Sequence, residues 1–229
     1  MRKYLIVNAD DLGLTSGVNR GIMEAHRDGI LTSASLMVEG RGSEEAADLA
    51  TATPRLSVGL HFILDGEGRC FLRDPAAAAL EIRRQFDRFQ TLLGRLPTHL
   101  DTHHHVHREP GLLQPLLALA DEHGLPLREH SRIRHVPEFY GRWDDASHPE
   151  KISVEGLARI LENEIGEGVS ELGCHPGYID DDLRSTYGRE RELELATLTS
   201  PRLSNVLAAH GIELVNFSEA ARLLAPVHQ

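Results

Sequence analysis

Residues 97–107 read PTHLDTHHHVH, which places five histidines and one aspartate within nine positions from His99 onward. Read as a strand, successive side chains take opposite faces. His99, Asp101, His103 and His105 then share one face, and Leu100, Thr102, His104 and Val106 the other. Neutral imidazole nitrogens beside an ionised carboxylate form a ligand set for a divalent cation. The same run also fits an exposed histidine-rich strand that gathers metal adventitiously. What separates the two is where the remaining acids and histidines fall.

Upstream, residues 4–7 (YLIV) read as a buried strand running into Asn8, Ala9, Asp10 and Asp11, then Leu12 and Gly13. A helix follows, capped by Thr15 or Ser16, with Val18, Ile22 and Ala25 on one face, and Gly29 stops it. Strands are expected at 31–38 and 56–62 with a helix at 43–52 between them. Beyond a loop holding Gly66, Gly68 and Pro75, a longer amphipathic helix at 76–93 ends at Gly94 and Pro97. After the histidine-rich strand come a helix at 112–123, a short strand at 125–128, and an aperiodic stretch at 131–149 with Phe139, Tyr140 and Trp143. A helix at 154–165, a strand at 171–175, helices at 189–198 and 201–210 and a strand at 212–217 complete the chain. Such alternation means a parallel sheet with helical crossovers. About seven strands are expected, in one domain spanning residues 1–229.

An open doubly wound sheet and a (β/α) barrel both fit that rhythm. The polar residues favour the barrel. Asp10 and Asp11 follow the first strand, His61 ends the third, Asp101 and His103 the fourth, and His175 the sixth. In a barrel all carboxyl ends form one rim, whereas an open sheet draws its site from fewer strands at a switch point. The expected fold is therefore α/β and barrel-like, an incomplete TIM-type barrel. Ser57, Gly59 and His61 share a face, as do Gly173 and His175, opposite Leu172 and Cys174. Each residue has an ordinary alternative: adjacent aspartates cap helices, a lone histidine packs in a core, and Cys-His-Pro-Gly stiffens a turn. Convergence on one rim is what carries the site. His26, His123, His130, His148, His210 and His228 are assigned to the surface.

A net charge of −11 argues against a nucleic-acid backbone or an anionic membrane as the main partner. Cys70 and Cys174 lie far apart and form no CxxC pair, so a reducing compartment without a disulfide framework is expected. No apolar run near the start is long enough for a signal-peptide core or a membrane span, and the expected location is cytoplasmic.

At VNADDLGLTSGVNRGI, GLHF, PTHLDTHHHVH and ELGCHPGYID the sequence resembles the YdjC-type carbohydrate deacetylases, over about residues 3–217. The double aspartate combined with HLDTHHHVH is the specific part. The resemblance implies a (β/α) barrel-like fold and removal of an acetyl group from an N-acetylated sugar with one divalent metal. By position it implies Asp11, His61 and His103 as metal ligands and Asp10 as catalytic base. It points to Mg2+, while mixed His/Asp ligation suits Zn2+ on softness grounds. The loop between His61 and the histidine-rich stretch is shorter than in the chitobiose-acting members, so the exact sugar does not carry over. For Asp10 and Asp11 to reach one site the chain must turn, and Leu12-Gly13 is the expected place. A departing amine needs a proton, and His175 is the candidate acid. Asp101 can orient a neighbouring imidazole. His105, Tyr140 and Tyr178, with Trp143, are candidates for substrate contact or support. Competing readings are another barrel metal-dependent hydrolase, a phosphoesterase or cyclic amidohydrolase, and a catalytically silent sugar-binding homologue. Homologous barrels often pair, which makes a homodimer an expectation without a marked interface.

Overall fold

Lys3–Leu12 (β1) is the strand from which the sheet grows, and every residue from Leu5 onward is buried. Along it, Leu5, Val7 and Ala9 pack outward into the main core beneath the helices, while Ile6, Asn8 and Asp10 face inward. The computed structural model describes residues 2–65 and 74–225. Its other elements are Ser16–Asp28 (α1), Ser33–Leu36 (β2), Ser43–Ala52 (α2), Ser57–Phe62 (β3), Pro75–Leu93 (α3), Leu100–Thr102 (β4) and Pro110–His123 (α4). Then follow Arg134–Val136 (β5), Arg142–Trp143 (β6), Ala146–Ser147 (β7), Val154–Asn163 (α5), Gly168–Cys174 (β8), Gly188–Leu198 (α6), Arg202–Ala209 (α7), Ile212–Leu214 (β9) and Phe217–Leu224 (α8).

The main sheet runs β4-β3-β2-β1-β8-β5 with every pairing parallel, and β9 pairs with the start of β1. β8 lies along one edge of β1 from Lys3 to Ala9; β9 and β2 share the other, β9 at Lys3–Leu5 and β2 from Asn8. The result is the expected incomplete barrel. Its floor is apolar, made by Ile6, Ile133, Val169, Val215, Phe217 and Ala220. Above the floor the inward positions turn polar: Asn8, Asp10, Ser35, His61, His99, Asp101 and Glu171 are all buried. Hydrophobic burial thus holds the scaffold while the hydrogen-bonded layer above it must satisfy itself internally.

Four expectations are corrected. The histidine-rich stretch is a strand only at Leu100–Thr102, after which His103–Arg108 winds into a 3-10 turn with His104 and His105 left-handed. Residues 125–128 make a single bridge, Leu100 with Leu127, rather than a strand. The aperiodic 131–149 stretch supplies β5 and the antiparallel β6–β7 hairpin. The last strand stops at Leu214, and Asn216 with Glu219 forms a capping box that starts α8. That helix seals the barrel floor, with Phe217 stacked on His99 at 3.6 Å. Gly66, Gly68, Cys70 and His228 lie outside the described residues. No helix among the described residues is long and apolar enough to cross a membrane.

Candidate metal centre

The reversal that lets both aspartates face the rim occurs at Asp11 itself, not at Leu12-Gly13. The β1–β2 register advances three residues on β1, Ala9 to Leu12, against two on β2, Ala34 to Leu36. That is a β-bulge, a device that re-aims side chains beside active sites. Asp11 takes φ 67° there, a left-handed conformation aspartate tolerates better than most residues. Gly13 follows at φ 89°, where a Cβ would lie 2.8 Å from Leu36 Cδ1, so only glycine completes the turn.

Asp11 Oδ1 then sits 3.4 Å from His61 Nε2 and 3.4 Å from His103 Nδ1. The three donor atoms lie within 4.8 Å of one another. Bonds of about 2.0–2.2 Å to one ion put its donors about 3.0–3.5 Å apart, so the spacing suits a shared cation. Asp11 Oδ1 and His61 Nε2 are also buried with no hydrogen-bond partner among the described residues. Such orphaned atoms call for a ligand. His61 is fixed from behind by Asp101 Oδ1, 2.7 Å from its Nδ1, which turns Nε2 toward Asp11. The imidazole that Asp101 contacts is thus that of His61. Burial lowers the His61 pKa, yet the charges of Asp101 and Asp10 outweigh it and push the imidazole up to about 10. The ring sits where positive charge is wanted.

Asp10 has different company. Arg128, almost wholly buried, donates to both its oxygens at 2.7 Å and bonds Glu171 Oε1 at 2.6 and 2.9 Å. It also lies 2.9 Å from Asp101 Oδ2. Burial is the largest influence on the Asp10 carboxyl and would raise it. The charge and hydrogen bonds of Arg128, then the charges of His61 and His175, hold it far below the usual carboxylate range. Burial likewise acts against Asp11, and there Arg191 prevails, bonded to Asp11 Oδ2. Glu171 goes the other way: burial pushes it up to about 7 despite Arg128. Asp10, His61 and Asp101 also converge, but Arg128 already pairs with both carboxylates of that group.

His175 Nε2 lies 4.0 Å from Asp10 Oδ2, so the candidate acid borders the same pocket. The buried Glu194 accepts its backbone N–H and the Tyr187 hydroxyl, with Oε1 3.8 Å from His175 Nδ1. Burial depresses the His175 imidazole, and the Glu194 carboxylate reverses this and raises it. Tyr140 stacks on Tyr187 at 4.7 Å and presents its edge to His175 at 5.6 Å, with 41% of its surface exposed.

Asp10, Asp11, His61, His175, Tyr140 and Tyr187 line a pocket of about 470 Å³ at the carboxyl rim, with His103, His105, Arg128 and Arg191. A cleft of about 530 Å³ at the opposite end, around Arg55 and Arg222, holds none of this constellation. Asp10, Asp11, His61, Asp101, His103, His175 and Tyr140 are thus brought together. His105 reaches the pocket through the left-handed turn rather than by strand alternation. Tyr178 is not brought in: its hydroxyl donates to Glu24 and Arg20 covers its ring, both on α1. Trp143 stacks on His148 in the hairpin, away from the pocket lining.

Arg128, Arg191, Tyr187 and Glu194 were not among the expected site residues. Glu171 carried a signal for Arg128, because alternation puts it on the inward face with Gly173 and His175, where a buried carboxylate needs a cation. For Arg191 and Glu194 no periodic signal existed. α6 buries Glu190, Arg191 and Glu194 together with Leu195 and Leu198, so charge does not mark its outer face.

Fold and rim together define an incomplete (β/α) barrel with carboxylate and imidazole groups at its carboxyl end that could hold a cation. Residues 4–78 and 68–209 match the YdjC-like protein family, and the chain belongs to it. It is 38% identical to a chitooligosaccharide deacetylase of Serratia marcescens, over 96% of this chain and 100% of the relative. It is 37% identical to a carbohydrate deacetylase of Brevibacillus brevis, over 94% and 98%. A candidate cellobiose-phosphate cleavage protein from Enterococcus faecalis V583 superposes with a TM-score of 0.81 at 29% identity, covering 96% of this chain and 99% of that one. A cobalt-bound family 4 acetyl xylan esterase from Clostridium thermocellum shares the fold at a TM-score of 0.56 and 14% identity, over 96% and 91%.

Proposed function

We propose that this protein is a divalent-metal-dependent carbohydrate deacetylase that hydrolyses the acetamide of an N-acetylated sugar. The observation that carries the reading is the pair of orphaned buried atoms, Asp11 Oδ1 and His61 Nε2, beside His103 Nδ1 and next to Asp10 and His175. The names of the relatives support the substrate class. Asp11, His61 and His103 would hold the ion, Mg2+ by family resemblance or Zn2+ by donor softness. A divalent ion there supplies Lewis acidity toward the acetamide carbonyl and toward water, which a base as weak as Asp10 requires.

Asp10 takes the proton of the attacking water, held in place by the Arg128 fork. His175 gives a proton to the departing nitrogen, since an amine leaves poorly as an anion. Glu194 keeps that imidazole protonated at higher pH. Replacing Glu194 by glutamine removes the negative charge, lowers the His175 pKa, and is expected to move the alkaline limb of kcat to lower pH. A limb that stays in place separates Glu194 from the acid. Tyr140 offers an exposed face beside the pocket for a sugar ring. Tyr140→Ala is expected to raise KM about tenfold, the loss of about 1.4 kcal/mol of stacking, with kcat changed less. An unchanged KM argues against the platform. The buried free thiol of Cys174 is compatible with a reducing, cytoplasmic setting.

The reading is tested by incubating metal-loaded protein with N-acetylglucosamine, chitobiose and their 6-phosphates and measuring acetate. Acetate release that stops on chelation and returns with Mg2+ or Zn2+ is expected. No acetate from any of them, with the ion bound, overturns it.

A further inference from the structure

A second cluster of donors lies outside the centre described above. His107 is fully buried in the 3-10 turn, with Nδ1 2.8 Å from Thr102 Oγ1 and Nε2 3.2 Å from Glu129 Oε2. The His105 ring lies 5.8 Å from that of His107 and 5.5 Å from that of His135. His105 Nδ1 is buried with no hydrogen-bond partner among the described residues. Donor atoms of His105, His107 and Glu129 lie within 4.8 Å of one another. His135 Nδ1 stands 3.3 Å from the second Glu129 oxygen.

We propose that His105, His107 and Glu129 form a second divalent-cation site, with His135 at its edge, that takes a late first-row ion such as Zn2+. Two imidazoles and a carboxylate favour such an ion over Mg2+. The Thr102 hydroxyl fixes the His107 ring and aims Nε2 at the site, the kind of outer support that ligand histidines have. The backbone points the same way. His104, His105 and Glu129 all adopt positive φ, at 54°, 52° and 65°. Such a conformation is unfavourable for a residue with a side chain and persists where surrounding structure enforces it. Here the strained positions are what bring His105 and Glu129 together.

Glu129 is meanwhile neutralised by Arg108, which donates to Oε2 at 3.0 Å and also to Oε1. The Arg108 side chain is 54% exposed and can swing into solvent. An entering ion therefore exchanges one cation for another on the same carboxylate, and Arg108 sets how tightly the ion is held. His105, Arg108 and His135 also line the main pocket, so an occupied second site adds positive charge to its wall. This inference does not depend on the deacetylase reading.

The test is Zn2+ binding to the chelator-stripped full-length chain, by equilibrium dialysis with elemental analysis, with Co2+ absorption as a second readout. Two ions per wild-type chain are expected. Asp11→Asn should keep one, reporting loss of the first centre alone. His105→Ala and Glu129→Gln should each keep one, now at the first centre. Arg108→Ala should tighten the second ion about tenfold, because the guanidinium that competes for the Glu129 carboxylate is gone. His210→Ala, a control for surface histidines, should keep two. His107 is left untouched because its burial endangers folding. No ion in Asp11→Asn, or a stoichiometry unchanged from wild type in both His105→Ala and Glu129→Gln, overturns the site, whereas one wild-type ion that Asp11→Asn keeps counts against the first centre alone.

Discussion

Asp10→Asn is expected to bind its divalent ion normally and to lose about 10²- to 10⁴-fold in kcat, the range for removing a general base. Asparagine keeps the shape and still offers Arg128 one oxygen acceptor. Arg128 retains Asp101 and Glu171, so the fold should survive. His103→Ala is the contrasting variant, because it removes a proposed ligand and should lose ion and turnover together. Elemental analysis beside acetate release separates the two cases. Near-normal turnover in Asp10→Asn would remove Asp10 from its proposed role as base.

The second large effect is on stability. Arg128→Met leaves Asp10, Asp101 and Glu171 buried without their common cation, and breaking a buried pair from one side costs about 3–5 kcal/mol. Denaturant unfolding at pH 7 in the presence of a chelator measures it. The pH dependence has a definite sign. Burial raises all three carboxyls, and Arg128 opposes that rise. Without it the Asp10 and Asp101 carboxyls rise above their unfolded values and Glu171, already up at about 7, rises further. A carboxyl shifted that way weakens the fold above its folded pKa and ceases to do so once both states are protonated. The deficit should therefore be greatest at neutral pH and shrink as pH falls toward about 4. A deficit independent of pH would mean that lost packing, not lost charge, is responsible.

How much of this was legible depends on the range of each signal. Asp11, His61 and Asp101 were readable because strand ends and two-residue alternation are local properties of the chain. His103 was named through an alternation that stops at Thr102; it reaches the centre at the head of a 3-10 turn instead. Tyr178 was misplaced because an aromatic beside a turn carries no information about which face it takes. Arg128 was passed over as the end of a short strand, though it sits at the hub of three carboxylates from β1, β4 and β8.

The order of elements, the acids and histidines at the strand ends and the parallel barrel were set by local pattern, since hydrophobic spacing and backbone preference act over a few residues. Which polar atoms find partners was decided only in three dimensions. Arg128 meets Asp10 across 118 positions, and Arg191 meets Asp11 across 180. Charges buried away from water must be balanced by whatever neighbours the fold supplies. That balance is complete around Asp10 and leaves Asp11 Oδ1 and His61 Nε2 open to an ion.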